Sequence, residues 1–207
     1  MRGVAADLWR QSRDLADACL AHPFVRGIAS GELAPERFRV YVAQDAYFLE
    51  SFARAYALAL ARCPDREGLG VLKDLLVGVF EELRLHQGFA ARWGISLSPE
   101  PLAATSAYCD FLLATASLEP SGHTVAAMTP CMRLYAFLGQ ELAPKLNPES
   151  RYREWVETYS SAEVEGLAAR LEELLDRYGG DPARLAKLYR RAMQLEFAFF
   201  QSVWEAT

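Results

Sequence analysis

Apolar residues recur every three or four positions along almost the whole chain, the spacing that lays a stripe down one face of an α-helix. The first run, from about Val4 to Ala21, sets Leu8, Leu15 and Cys19 against Arg10, Arg13 and Asp17. His22-Pro23 closes it, because a residue before proline is disfavoured in the helical region. A short apolar turn, Phe24 to Ile28, leads to Ser30-Gly31. A second long helix starts near Ala34-Pro35, with Pro35 in the first turn and Glu36 at the positive end of the dipole, and runs to about Arg62. A third spans roughly Glu67 to Trp93 and stops at Gly94, a residue suited to a left-handed C-terminus. Pro99-Glu100-Pro101 opens a fourth, to about Leu118; a fifth covers His123 to Lys145, and a sixth Arg151 to Tyr178, ahead of Gly179-Gly180. Asp181-Pro182 starts the last, which runs nearly to Thr207. No segment alternates with the two-residue period of a strand, and there is no internal repeat. The pattern predicts an all-α bundle of seven or eight helices.

Composition narrows this picture. A chain of 207 residues without a Ser/Gly/Pro-rich linker reads as one domain, 1–207. Apolar residues make up 52% and charged residues 24%, enough for both a sizeable core and a solvated surface. The net charge of -5, with Arg and Lys scattered among acids, argues against a nucleic-acid partner, which needs a concentrated basic patch. No stretch approaches the ~18 apolar residues of a membrane span, and the charges within the first twenty residues do not suit a signal peptide, so the cytoplasm is the expected location. Cys19, Cys63, Cys109 and Cys131 form no CxxC pair; three of the four are read as small buried apolar residues.

Function has to come from polar groups set on apolar faces. Tyr41, Asp45, Phe48 and Phe52 share one face of the second long helix, so a carboxylate lies on an aromatic stripe, where it needs partners to be buried. Pairing within the bundle would explain it without any catalytic role. In the fifth helix Pro130 removes a backbone hydrogen bond, and Cys131 and Tyr135 follow one turn apart. They could be a core cysteine beside a core tyrosine, or a thiol nucleophile with a phenol at hand. Glu196 sits among Phe197, Phe199 and Phe200, surroundings that raise a carboxyl pKa and suit a proton donor near neutrality, or simply bury a structural acid. Tyr108 and Tyr159 fit ordinary core positions. Glu82 and His86 have the one-turn spacing of a carboxylate-bridged metal site, but such sites need more histidines than His22, His86 and His123. No metal site is expected.

Taken together, these segments resemble the thiaminase II (TenA-type) family in its cysteine-containing branch, over nearly the whole chain and in the family's order. The segments are His22-Pro-Phe-Val-Arg-Gly-Ile28, Phe38-x-x-Tyr41-x-x-Gln44-Asp45-x-x-Phe48-Leu49, Pro130-Cys131-x-x-Leu134-Tyr135-x-x-Leu138-Gly139, Trp155-x-x-Thr158-Tyr159-Ser160 and Glu196-x-x-Phe199-Phe200. Each is weak alone; five in order are specific. The resemblance implies a heme-oxygenase-like helical fold and hydrolysis of thiamin-related aminopyrimidines, thiamin itself or its aminomethyl pyrimidine breakdown product, in thiamin salvage. It implies that Cys131 adds to the pyrimidine ring and Glu196 moves the protons. Asp45 would bind the exocyclic amino group and adjacent ring nitrogen, Tyr135 and Tyr159 would position ring and thiol, and Phe48 with Tyr108 would sandwich the ring. No cofactor is implied, and the family's usual assembly is a homotetramer.

Many members carry a tyrosine where this chain has Phe48, its hydroxyl assisting the cysteine. Tyr47 cannot replace it, since one residue rotates a helical side chain by about 100°. Either Tyr135 suffices or activity on thiamin is reduced. Two other readings stay open: an oxygenase holding haem through His22 or two irons through Glu82 and His86, and a regulatory pyrimidine-binding protein without turnover.

Overall fold

The computed structural model describes residues 3–206, among which there are ten α-helices and no strand. The expectation of an all-α chain holds; Thr207, the expected end of the last helix, lies outside the described residues.

Two expected helices are each divided. The first separates into α1 (Val4–Gln11) and α2 (Arg13–Ala21) at the buried Ser12, whose φ of -109° and ψ of 11° leave the helical region. The sixth separates into α8 (Arg153–Tyr159) and α9 (Ala162–Tyr178), because Ser161 adopts an extended conformation and caps the Val164 N–H at 3.3 Å. The short apolar turn is a helix in its own right, α3 (Pro23–Ser30): Pro23 occupies its first turn and His22 Nδ1 accepts from the Phe24 N–H. Those three changes raise the helix number from the expected seven or eight to ten.

The long elements follow the sequence closely. They are α4 (Pro35–Ala61), α5 (Arg66–Trp93), α6 (Ala103–Leu118), α7 (Ser121–Leu142) and α10 (Pro182–Glu205). Gly94 ends α5 at φ 64° and ψ 43°, the left-handed cap its position suggested. Helix α7 passes through Pro130 without ending, and a 3-10 turn over Ala143–Lys145 completes it.

The packing centres on α7 and α4. Helix α7 lies against α8, α9 and α10, and α4 against α5 and α6. Almost every residue of α7 from Gly122 to Gly139 is buried, so this helix has no solvent face of its own and acts as the core of the bundle. Arg133 is the exception in kind, a largely buried cation held by Glu172 and Glu165 of α9 at 2.7 Å each. Gly139 allows the end of α8 to close on α7: a Cβ there would come within 2.3 Å of the Tyr159 carbonyl carbon. Both devices fix where the α8–α9 junction sits over Cys131.

Candidate active site

Helix α4 brings Tyr41, Asp45, Phe48 and Phe52 inward on one buried face, as their spacing predicts, while Tyr47 is 37% exposed. Asp45 finds its partner on α5: His86 Nε2 lies 2.8 Å from Asp45 Oδ2. His86 Nδ1 lies 2.9 Å from the Glu82 main-chain oxygen, which can only accept, so Nδ1 carries a proton. The Nε2···Oδ2 contact therefore holds a second proton, on the ring or on the carboxyl. Burial alone would lower the His86 pKa, but the hydrogen bond and charge of Asp45 outweigh it and raise the value above the ordinary one. Asp45 is thus not bare: with His86 it forms a buried hydrogen-bonded pair that shares one proton.

Gln44, beside Asp45, carries the geometry on to α6. Its amide donates to the Glu100 carbonyl at 3.0 Å and accepts from the Leu102 N–H at 2.9 Å. That clamp sets the start of α6 and hence the depth of Tyr108. The Tyr108 hydroxyl donates to Glu196 Oε1 of α10 at 2.7 Å. The Cys131 thiol of α7 lies near the same carboxyl, close enough for the two to interact electrostatically. Burial raises Glu196 to about 8, opposed by the Tyr108 hydrogen bond and the nearby Cys131 thiol and aided by the Asp45 charge. Burial, then the charge of Glu196, pushes the Cys131 thiol well above its usual range. A low-pKa thiolate is therefore not the resting state of this cysteine; the thiol sits beside a base that titrates near neutrality.

The third acid of the site is Glu82, whose spacing to His86 suggests a metal ligand. Glu82 of α5 accepts a short hydrogen bond from the Tyr159 hydroxyl of α8. Burial and the Asp45 charge raise it to about 7, against the opposing effects of His86 and Tyr159. Tyr135 packs on Tyr159 with ring centroids 4.8 Å apart and on Trp155 at 5.8 Å, and the Trp155 indole N–H donates to the Tyr41 hydroxyl at 3.0 Å. Tyr41 and Trp155 are thus supports of the site that the spacing placed in its motifs without a role.

A cavity of about 330 Å³ opens onto these groups between α5, α7 and the α8–α9 junction, with Cys131, Tyr135, Tyr159 and Glu82 in its wall. Asp45, Tyr108, Phe48 and Glu196 lie behind that wall. Phe48 and Tyr108 are in direct contact, centroids 4.7 Å apart. A planar ring between them would require about 7 Å, twice an aromatic contact distance, so the pair must part before it can sandwich a ligand.

The donors weighed for iron are committed elsewhere. His22 Nδ1 caps α3 and its Nε2 lies 3.0 Å from Gln201 Oε1. Both nitrogens of His86 face acceptors within the protein, as described above. Among the described residues no cluster of three or more His, Cys, Asp or Glu has the grouping of a metal site. Of the other cysteines, Cys19 and Cys109 are buried, while Cys63 is half-buried and 3.3 Å from the Tyr178 hydroxyl. Among the described residues no helix is long and apolar enough to cross a membrane.

Known proteins share both sequence and fold. An "Aminopyrimidine aminohydrolase" of Halalkalibacterium halodurans is 30% identical over 97% of this chain and 95% of its own length. The "Bifunctional TH2 protein, mitochondrial" of Arabidopsis thaliana is 36% identical over 87% of this chain, which spans only 34% of that longer protein. The solved structure of a TenA homologue protein from P. horikoshii OT3 superimposes with a TM-score of 0.91 at 29% identity, covering 99% of this chain and 100% of the other. A Shewanella denitrificans domain with a heme oxygenase-like fold superimposes with a TM-score of 0.77 at 14% identity, over 97% and 91% of the two chains, which confirms the expected fold. The TENA/THI-4/PQQC family model matches residues 9–206, so the chain belongs to that family.

Proposed function

We propose that this chain is a hydrolase of thiamin-related aminopyrimidines, releasing the hydroxymethylpyrimidine from an aminomethyl pyrimidine or from thiamin in a salvage reaction. The observation that carries this reading is the buried Glu196 carboxyl, which accepts from the Tyr108 hydroxyl at 2.7 Å near the buried Cys131 thiol and is raised to about 8. The similarity to a named aminopyrimidine aminohydrolase over 95% of its length supports it.

In this reading Phe48 and Tyr108 part to admit the ring, and Asp45 binds its amino group and adjacent nitrogen through Oδ1, since Oδ2 is held by His86. The Cys131 sulfur bonds to a ring carbon while its proton passes through Glu196 to a ring nitrogen. The electron-rich adduct expels the leaving group from the exocyclic methylene. Water adds there, giving its proton to the Glu196 carboxylate; the carbon–sulfur bond then breaks and the ring regains its aromaticity. The sulfur recovers a proton from Glu196; ammonia leaves from the protonated aminomethyl group, or the thiazole from thiamin, as a neutral molecule, and the ring nitrogen releases its proton to water, one proton per turnover. Tyr108 holds Glu196 in place through these transfers, and Tyr135 and Tyr159 border the reacting methylene. Because Glu196 is itself the base of the thiol, Phe48 does not remove an indispensable group.

The chain is further proposed to assemble as a homotetramer. The half-exposed Val77 and Phe80, with Tyr47 nearby in sequence to the α4 stripe, supply apolar surface for it.

The deciding experiment follows hydroxymethylpyrimidine release from the aminomethyl pyrimidine by chromatography. Wild-type turnover reduced at least about a thousandfold in Cys131→Ser is expected. Absence of wild-type turnover would leave only a binding role.

A further inference from the structure

Below Phe52 on α4 lies one more buried ring, Tyr56, whose hydroxyl has no hydrogen-bond partner among the described residues. A phenylalanine would fill the same space without burying a hydroxyl, so the oxygen costs stability in the resting protein. Its ring continues a ladder: Tyr108 on Phe48 at 4.7 Å, Phe48 on Phe52 at 5.3 Å and Phe52 on Tyr56 at 4.6 Å between centroids. Helical side chains lean toward the N-terminus of their helix, so Tyr56 points back along this ladder, toward Cys131 and its neighbours.

Helices α4 and α5 are joined by a short loop and pack antiparallel, and the Asp45–His86 contact fixes their register. Eleven residues on from Asp45 is Tyr56, and eleven back from His86 is Leu75. Leu75 and Val79, one turn further on, both line the cavity, which places Tyr56 behind its wall. The ionisable groups that act on the hydroxyl are Cys131 first and Glu82 second, and both stand in that same wall. Burial keeps the phenol protonated far above its ordinary range, so it faces them as a neutral donor.

The Cys131 sulfur is short of donors. Burial opposes its anion, and so do the nearby Glu196, Glu82 and Asp45 charges. In the proposed reaction Glu196 takes the thiol proton and passes it to a ring nitrogen, so it does not remain to stabilise the sulfur. We propose that Tyr56 is a further catalytic residue, whose hydroxyl donates to the Cys131 sulfur while that sulfur carries charge. A thiol is a weak acceptor and a thiolate a strong one, so the bond is gained as the proton leaves and stabilises the attack more than the resting state. The same donor receives the sulfur when the carbon–sulfur bond breaks, and it keeps its own proton throughout. The inference rests on the proposed Cys131 chemistry and adds to it the group that holds the charge.

Full-length wild type and Tyr56→Phe, which removes the oxygen alone, test this on three readouts. Turnover of the aminomethyl pyrimidine should fall about ten- to a hundredfold in kcat, with KM within about twofold. Alkylation of Cys131 by iodoacetamide, followed by peptide mass, should slow about tenfold at about pH 8, since less of the thiol ionises. The midpoint of thermal unfolding should stay or rise, because the hydroxyl lost had no partner. An unchanged kcat overturns the assignment, as does unaltered alkylation of Cys131; a lower unfolding midpoint with either marks a packing role instead. Absence of wild-type turnover, with alkylation still slowed in Tyr56→Phe, overturns the aminopyrimidine reading while the hydrogen bond to Cys131 stands.

Discussion

In the proposed reaction two side chains carry the chemistry at the smallest scale. Cys131 is a buried thiol whose proton is held tightly, and Glu196 is the carboxyl that can take it. Only the ionised form of Glu196 is a base, so kcat/KM is expected to rise with pH and level off above about 8. Glu196→Gln should lower the plateau by about 10²- to 10⁴-fold and abolish this limb of the profile. Rates measured from pH 5.5 to 9.5 check it, and the same limb persisting in Glu196→Gln would assign the titration to another group. Both residues stood out in the sequence as polar groups on apolar stripes, but their pairing did not. Residue spacing alone gives no sign that a cysteine after a proline and a glutamate among phenylalanines lie together; only the family resemblance linked them.

Elements deliver these residues, and two of the delivering features are small. Gly139 is the point where α7 and the end of α8 nearly touch, and the contact carries Tyr159 to Glu82. Gly139→Ala should force the two backbones apart, destabilise the fold by ~1–3 kcal/mol, and raise KM more than it lowers kcat as Tyr159 moves off the cavity wall. Denaturant unfolding and steady-state kinetics read the two effects separately; an unchanged KM would mean that Tyr159 keeps its place by other contacts. The helix breaks at Ser12 and Ser161 were not foreseen, for a physical reason. Apolar periodicity continues across both, and serine is compatible with either a helix interior or a cap. Which of the two it becomes depends on neighbours distant in sequence. The breaks marked by Pro23, Pro35, Gly94 and Pro182 were legible because proline restricts the backbone and glycine readily takes the left-handed cap.

The whole molecule bears the energetic consequence of burying two acids. Glu82 and Glu196 are raised to about 7 and about 8, whereas in the unfolded chain they titrate in the ordinary carboxylate range. Below that range both states hold these protons. As pH rises, the unfolded chain releases them first, so stability falls through the interval and the loss is complete above about 8. The raised His86 value acts in the same direction. Surface acids held low by arginines, among them Asp14 and Glu119, act at the other end, losing their contribution as pH falls below the carboxylate range. Thermal unfolding should therefore show greatest stability near pH 5. At pH 8.5 Glu196→Gln should exceed wild type by ~2 kcal/mol, with the two nearly equal at pH 5. A constant difference at both values would show that the carboxyl is not held protonated by the fold.

The sequence by itself determined the helical class, the long helices, the buried face of α4 and, through five ordered motifs, the family. Those follow from local periodicity, proline and glycine geometry and residue order, none of which needs a contact between distant segments. Tertiary structure alone decided the electrostatics. Asp45 meets His86 across 41 residues, Glu82 meets Tyr159 across 77, and Tyr108 meets Glu196 across 88. A pKa depends on desolvation and on the charges within a few ångströms, and these are properties of the folded packing. Cys131 is therefore marked as a candidate nucleophile by the family resemblance of its segment, but the carboxyl beside it and its resting protonation exist only once α6, α7 and α10 have come together.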